Sequence, residues 1–178
     1  VFSQGRRPGL RAGLATAAAV LTTACSVSNL NLVTDHRLHF LSPASRAHLH
    51  LPIVLRWTIQ NFRSVPPASA TPSQTEGYFA IFIDRSPVGP GESLASIAHN
   101  DTSCKRTPSC PDATYFTNRQ IYTTTRTTYT LDHVDNLTGN RETQQLHEVT
   151  VILLDSTGHR IAESAWYLDF WLPQAGMA

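Results

Sequence analysis

Eight histidines are the residues of this 178-residue chain that most readily suggest chemistry. His48-Leu49-His50 sets two imidazoles on the same side of an extended segment, two residues of rise apart. His36 and His39 lie just upstream. Copper or zinc could use such a set. Met177 is the only methionine, so the soft thioether ligation common in copper carriers is missing. The competing reading of His48 and His50 is a pair of solvent-facing strand histidines.

Catalytic spacings are harder to find. No Gly-x-Ser-x-Gly elbow is present to raise a serine nucleophile. Asp132-His133 and Asp155 with His159 sit in loop-like stretches beside no marked nucleophile. Glu163 and Asp169 belong to one stretch with no evident partner acid, whereas glycoside cleavage needs two acids in one cleft. Gly89-Pro90-Gly91 is a turn without the Lys and hydroxyl that complete a phosphate loop. The reading is therefore not an enzyme, and no cofactor is expected.

Aromatic side chains offer a second kind of site. In Trp166 to Leu172, alternation puts Trp166, Leu168, Phe170 and Leu172 on one face of a strand and Tyr167, Asp169 and Trp171 on the other. If the first face is core, Tyr167, Asp169 and Trp171 present a surface suited to a sugar ring or a protein partner. An edge strand that pairs with another chain is a further option.

The elements that must position these residues are strands. The clearest signal is Leu146 to Leu172: two apolar runs flanking the polar turn Asp155-Ser156-Thr157-Gly158, which predicts a β-hairpin. Tyr78 to Ile83 is apolar on both faces and predicts a strand buried inside a sheet. Ala47 to Ile59 alternates, with Ile53, Leu55, Trp57 and Ile59 on one side and Pro52 expected at a start or an edge. His36 to Leu41 predicts the first strand, and Arg119 to Leu131, rich in Thr and Tyr, predicts another with a break near Arg126. Ser93 to Ala98 fits a short edge strand or a helical turn. Phe62 to Glu76 and Asn136 to Gln145 read as loops. About seven short strands separated by turns predict an all-β fold, a single antiparallel β-sandwich. Eleven prolines argue against long helices.

The N-terminal stretch has its own logic. Arg6, Arg7 and Arg11 precede the small, apolar, uncharged run Gly13 to Ala24. At about a dozen residues this run is too short to span a bilayer and fits a secretory signal. Leu21-Thr22-Thr23-Ala24-Cys25 resembles the lipobox of bacterial lipoproteins, with Thr22 where that family usually carries Leu. The resemblance implies lipidation of Cys25 and a membrane anchor in the cell envelope; a plain signal peptide cut near Ala24 is the alternative. Cleavage before Cys25 removes three Arg and no acid, taking the formal charge from +1 to −2. The basic balance is thus a targeting feature, and nucleic acid is not an expected partner.

With Cys25 set aside, Cys104 and Cys110 remain as a pair in a polar, Pro-containing loop. In an oxidising compartment such a pair reads as a disulfide. Two free thiols are the alternative; a zinc site lacks a second close Cys pair. The expected organisation is residues 1–24 signal peptide, 25–35 tether, 36–173 β-sandwich and 174–178 tail.

Val54-Leu55-Arg56-Trp57, Gly77-Tyr78 through Asp84, Thr128-Tyr129-Thr130-Leu131 and His147-Glu148-Val149-Thr150-Val151 together resemble the strand sequence of fibronectin type III and immunoglobulin-like domains. That resemblance implies a core Trp on the second strand and a binding or structural module, with the terminal hairpin as strands F and G. The function expected is a non-enzymatic, lipid-anchored envelope module whose partner is another envelope protein or a glycan. A periplasmic metal carrier on His48 and His50, or a carbohydrate-binding module, is the alternative.

Overall fold

The computed structural model describes residues 35–68, 71–137 and 142–174. The signal segment, Cys25 and most of the tether lie outside the described residues. Nine strands are named among those described: β1 (Leu38–Ser42), β2 (Ala47–His48), β3 (Ile53–Ile59), β4 (Arg63–Ser64), β5 (Glu76–Ile83), β6 (Ile121–Thr124), β7 (Thr128–Leu131), β8 (Gln144–Asp155) and β9 (Trp166–Pro173). The fold is all-β. The first sheet runs β1-β3-β7 and is antiparallel. The second runs β2-β9-β8-β5-β4, with β6 on the same edge of β5 as β4.

The expectation of purely antiparallel sheets needs correction. β2 runs parallel to β9, and β4 parallel to β5. Both exceptions are two-residue strands at sheet edges, where a passing chain can lend a bond or two without a crossover helix. The predicted strand Ala47–Ile59 is likewise two strands in two different sheets. Leu51-Pro52 interrupts it: Pro52 offers no N–H to a ladder, so the chain leaves β9 at Leu49 and starts again at Ile53, first on β7 and from Arg56 onward also on β1. The break predicted near Arg126 has the same effect. β6 pairs with β5 and β7 with β3, so a three-residue bend carries the chain between sheets. Ser93 to Ala98 resolves as a 3-10 turn at Leu94–Ala98, with Ser93 Oγ capping Ala95 N–H. Part of the predicted loop Phe62–Glu76 is strand β4, and Gln144 and Gln145 already belong to β8.

The two sheets share one apolar core. Leu38, Ile53, Leu55, Trp57 and Leu131 come from the first; Phe79, Ile81, Ile83, Val149, Val151, Leu153, Leu168, Phe170 and Leu172 come from the second. Trp57 lies edge-on to both Phe40 and Phe79, at ring-centroid distances of 6.3 and 5.3 Å. The alternations read in β3 and β9 are therefore core-facing as predicted, with Trp166 and Ile59 only half-buried at the ends.

β5 is apolar on both faces for a reason absent from its own sequence. Its other face, with Ile152 and Leu154 of β8, is covered by the connector 84–120. Val88, Leu94, Ile97 and Phe116 are the connector's apolar contacts. Two short helices, α1 (Thr102–Lys105) and α2 (Ala113–Thr117), begin at Asp101 and Asp112, whose carboxylates accept backbone N–H groups of the first turn. Arg160, buried under the same layer, donates to the carbonyls of Val88 and Glu163 and ties the hairpin loop to the connector.

The hairpin turn is held by Asp155. Its Oδ1 accepts from Thr157 N, Thr157 Oγ1 and His159 N at 2.9, 2.7 and 3.0 Å. Burial alone would raise this carboxyl; the hydrogen bonds from Thr157 and His159 outweigh it and hold the group below its ordinary value. The sign follows: a carboxyl depressed by folding contributes stability above its unfolded value, near pH 4, and that contribution is lost as pH falls through the folded value. Asp155→Asn is expected to cost roughly 1–2 kcal/mol near neutral pH. Its urea-unfolding midpoints should converge on those of the wild type below about pH 4. Parallel pH profiles for the two proteins would show that this carboxylate is not a source of acid sensitivity.

Candidate functional site

The site is built where β1 leaves one sheet for the other. Asp35 and Leu38–Leu41 form one wall and Ser164–Leu168 the other, enclosing a groove of about 550 Å³. That volume is within the range of ligand pockets, about 300–1,000 Å³. Leu38 and Leu168, both buried, also line it. Leu41 and Tyr167 are 65% and 70% exposed, the two most exposed large apolar side chains among the described residues, and both stand on its rims.

Both ends of the groove are closed by hydrogen bonds. At one end Asp35 N donates to Ser164 Oγ at 3.3 Å and Trp166 Nε1 donates to Asp35 O at 3.1 Å. At the other, the chain crosses over at Pro43–Ser45 and Arg46 N donates to Asp169 O at 2.6 Å.

The walls are strand edges, and their backbone parity can be read. Gln60 N donates to Arg37 O, so Arg37 and His39 turn their backbone groups toward β3. Leu38 and Phe40, between and beyond them, turn N–H and C=O the opposite way. On β9, Asp169 O and Trp171 O accept from Arg46 and Leu49, which puts Tyr167 on the same outward parity. β2 reaches only Phe170 and Trp171, so no strand among the described residues pairs with β9 at Tyr167 on that side.

The charges of this region are largely settled. Arg37 grips Asp35 through Nε and Nη2 at 2.9 and 2.7 Å to Oδ2. Burial would raise the Asp35 carboxyl, but the Arg37 hydrogen bonds prevail and hold it below the usual carboxylate value. His36 and His39 are exposed on the rim, their rings parallel at 6.5 Å between centroids.

The residues singled out by sequence are distributed differently from the expectation. Tyr167, Asp169 and Trp171 do share the face opposite the core. Trp171 is half-buried, because the His48 ring stacks on it at 5.9 Å, so Tyr167 is the exposed one of the two rings. Glu148 stands directly across from Asp169 on β8. His48 is thus engaged with Trp171, and its Nδ1 lies 3.4 Å from Gln144 Oε1. His50 is exposed. Among the described residues no group of three His, Cys, Asp or Glu side chains is placed to hold a metal, with His48 and His50 or elsewhere. Cys104 and Cys110 are at disulfide distance, with Cα atoms 5.2 Å apart, in the connector. His159 is hydrogen-bonded to Thr157 Oγ1, and His133 to Asp135.

Two features escaped sequence reasoning. The groove is one, since strand edges carry no side-chain signature. The other is His147, which is buried on the core side of β8 and bonded to Asp84. Its parity with Val149 and Val151 marked it as inward-facing, and a polar residue at such a position signals a buried partner.

No helix among the described residues is long and apolar enough to cross a membrane. No family model, curated protein or solved structure matches the chain.

Proposed function

We propose that this chain is an exported, lipid-anchored binding module of the bacterial cell envelope, built on an immunoglobulin/fibronectin III-like sandwich, and that it is not an enzyme. The observation that carries the fold half of this reading is the strand order. With β1 as A, β2 as its continuation A′, β3 as B, β5 as C, β6 as C′, β7 as E, β8 as F and β9 as G, the sheets read A-B-E and A′-G-F-C-C′. Immunoglobulin-like sandwiches divide their strands in this way, with B and E in one sheet and C, F and G in the other. The connector 84–120 is then an insertion between C and C′. Fold analogy alone assigns no ligand.

The export half rests on Ala24-Cys25 after its basic and apolar flanks, together with the Cys104–Cys110 pair at disulfide distance. Mass spectrometry of the chain recovered from bacterial membranes tests it. The expected N-terminus is Cys25 carrying acyl chains. A mature chain that keeps residues 1–24 would refute export, and one cut near Ala24 without acyl mass would leave export standing and remove the anchor.

A carbohydrate-binding role is the second reading, favoured by the exposed Tyr167 ring. It expects glycan retention to fall when Tyr167 is replaced by any non-aromatic residue.

A further inference from the structure

We propose that the groove between β1 and β9 receives an extended segment of a partner protein, which adds as a strand through its backbone. The proposal rests on reading the domain as a binding module and names the site and the kind of partner.

The hydrogen-bonding pattern is the first reason. Phe40 on one wall and Tyr167 on the other aim N–H and C=O groups into one groove, where no strand among the described residues pairs with them; Leu38 has the parity of Phe40 but is 1% exposed and forms the floor. Donors and acceptors that alternate along a strand edge are matched by another extended backbone. The length is set by the closed ends. Leu38 to Leu41 is four residues, about 13 Å of strand, between the Asp35–Ser164 contact and the Pro43–Ser45 crossing.

The area excludes a second folded copy as the occupant. A stable dimer buries about 1,000 Å² or more, which a four-residue seam does not offer. The groove is also concave, with Leu41 and Tyr167 as its rims, so a second copy has no complementary ridge on this surface. A linear segment fits: small or β-branched residues would point inward over Leu38 and Leu168, and polar ones outward.

Charge narrows the segment further. The one carboxylate lining the groove, Asp35, is neutralised by Arg37. His36 and His39 are the remaining ionisable rim groups near that end. A segment with an acidic residue there meets no unpaired carboxylate, and it meets two imidazoles.

The test uses the full chain and a pool of capped heptapeptides alternating Thr with Val, Ile or Leu and ending in Asp. Amide exchange followed by NMR is the direct readout. In the free protein the Phe40 and Tyr167 amides should exchange faster than those of His39 and Leu168. With the pool at about 1 mM, a concentration that reveals even weak binding, those two amides should slow.

Two substitutions separate backbone from side-chain recognition. Tyr167→Thr keeps the open-edge N–H and should bind within about threefold of wild type. Tyr167→Pro removes that N–H without taking a bond from the β8 ladder, and should bind at least about tenfold more weakly. Unchanged exchange at both amides would overturn the proposal, even where Tyr167→Pro fails to fold. So would loss of binding in Tyr167→Thr, which would assign recognition to the aromatic ring. Neither result bears on whether Cys25 is lipidated, so failure here is distinguishable from failure of the export reading.

Discussion

Gly77→Ala is expected to destabilise the domain by about 4 kcal/mol or more, placing it among the rare severe point substitutions. Gly77 lies in β5 opposite Asp155 of β8, and it also pairs with Ser64 of β4. A Cβ there would stand 1.8 Å from Leu154 O and 2.7 Å from Asp155 Cα. Both are backbone atoms in the middle of a sheet, so no rotamer change relieves the clash. The φ of +154° adds strain for any L side chain. Either β8 is pushed away, breaking the ladder next to the Asp155 turn, or β5 loses its first pairs. At about 2–4 °C per kcal/mol for a domain of this size, the melting temperature should fall by roughly 8–16 °C. Gly91 provides the control. Its φ is +73°, but a Cβ added there would meet nothing within 4 Å, so Gly91→Ala should cost only about 1–2 kcal/mol. Equal midpoints for the two variants would mean that β5 and β8 are not in the register described.

His147→Ala should cost about 3 kcal/mol, the scale for breaking a buried charged or strongly polar pair. The imidazole is 2% exposed, stacks on Phe170 at 5.9 Å, and its Nδ1 lies 2.6 Å from Asp84 Oδ2. The other carboxylate oxygen of Asp84 accepts Glu148 N at 2.9 Å, and Asp84 N donates to Glu148 O. Asp84 therefore clamps the end of β5 onto β8. It does so with φ at +52°, a conformation that Asp and Asn tolerate better than most residues. Removing the ring leaves the carboxylate short of a partner and a void beside Phe170. Asp84→Asn keeps the shape and the backbone conformation, so it should cost less, about 1–2 kcal/mol. A double-mutant cycle between His147→Ala and Asp84→Ala should return a coupling of at least about 1 kcal/mol. Additive losses would show that His147 contributes through packing on Phe170 alone.

These two positions also show what the sequence could and could not convey. The inward parity of His147 was legible, because it alternates with Val149 and Val151. Its partner was not, since Asp84 is 63 residues away and pairing at that distance leaves no local pattern. The strands with a regular side-chain period, such as β3 and β9, were readable because half-burial imposes that period, and β5 and the end of β8 were readable as continuous apolar runs. The edge strands β2 and β4 were not. Two residues of ladder set no periodicity, and Pro52, expected at a strand start or an edge, stands directly before β3 and also marks a change of sheet. The covering of the outer face of β5 was hidden for a related reason. Val88, Leu94, Ile97 and Phe116 fall at irregular spacings on short helices and turns, so nothing marked them as a layer. For the candidate site, side-chain reasoning singled out Tyr167, which stands on the rim of the groove, together with Asp169 and Trp171, which do not line it. It could not find a groove whose walls are backbone.

The crossing of the chain from β1 to β2 has a mechanical side. β2 and β9 run parallel, and they lie near opposite ends of the described chain. Once β1 has been stripped from β3, a force drawing the two ends apart pulls β2 and β9 in opposite directions along their shared ladder. Arg46–Asp169 and Leu49–Trp171 then bear that load together, in shear, where an antiparallel end pairing would open one bond at a time. A domain held by its N-terminal side thus meets tension through one of its shortest strands, with the His48–Trp171 stack lying across the loaded seam.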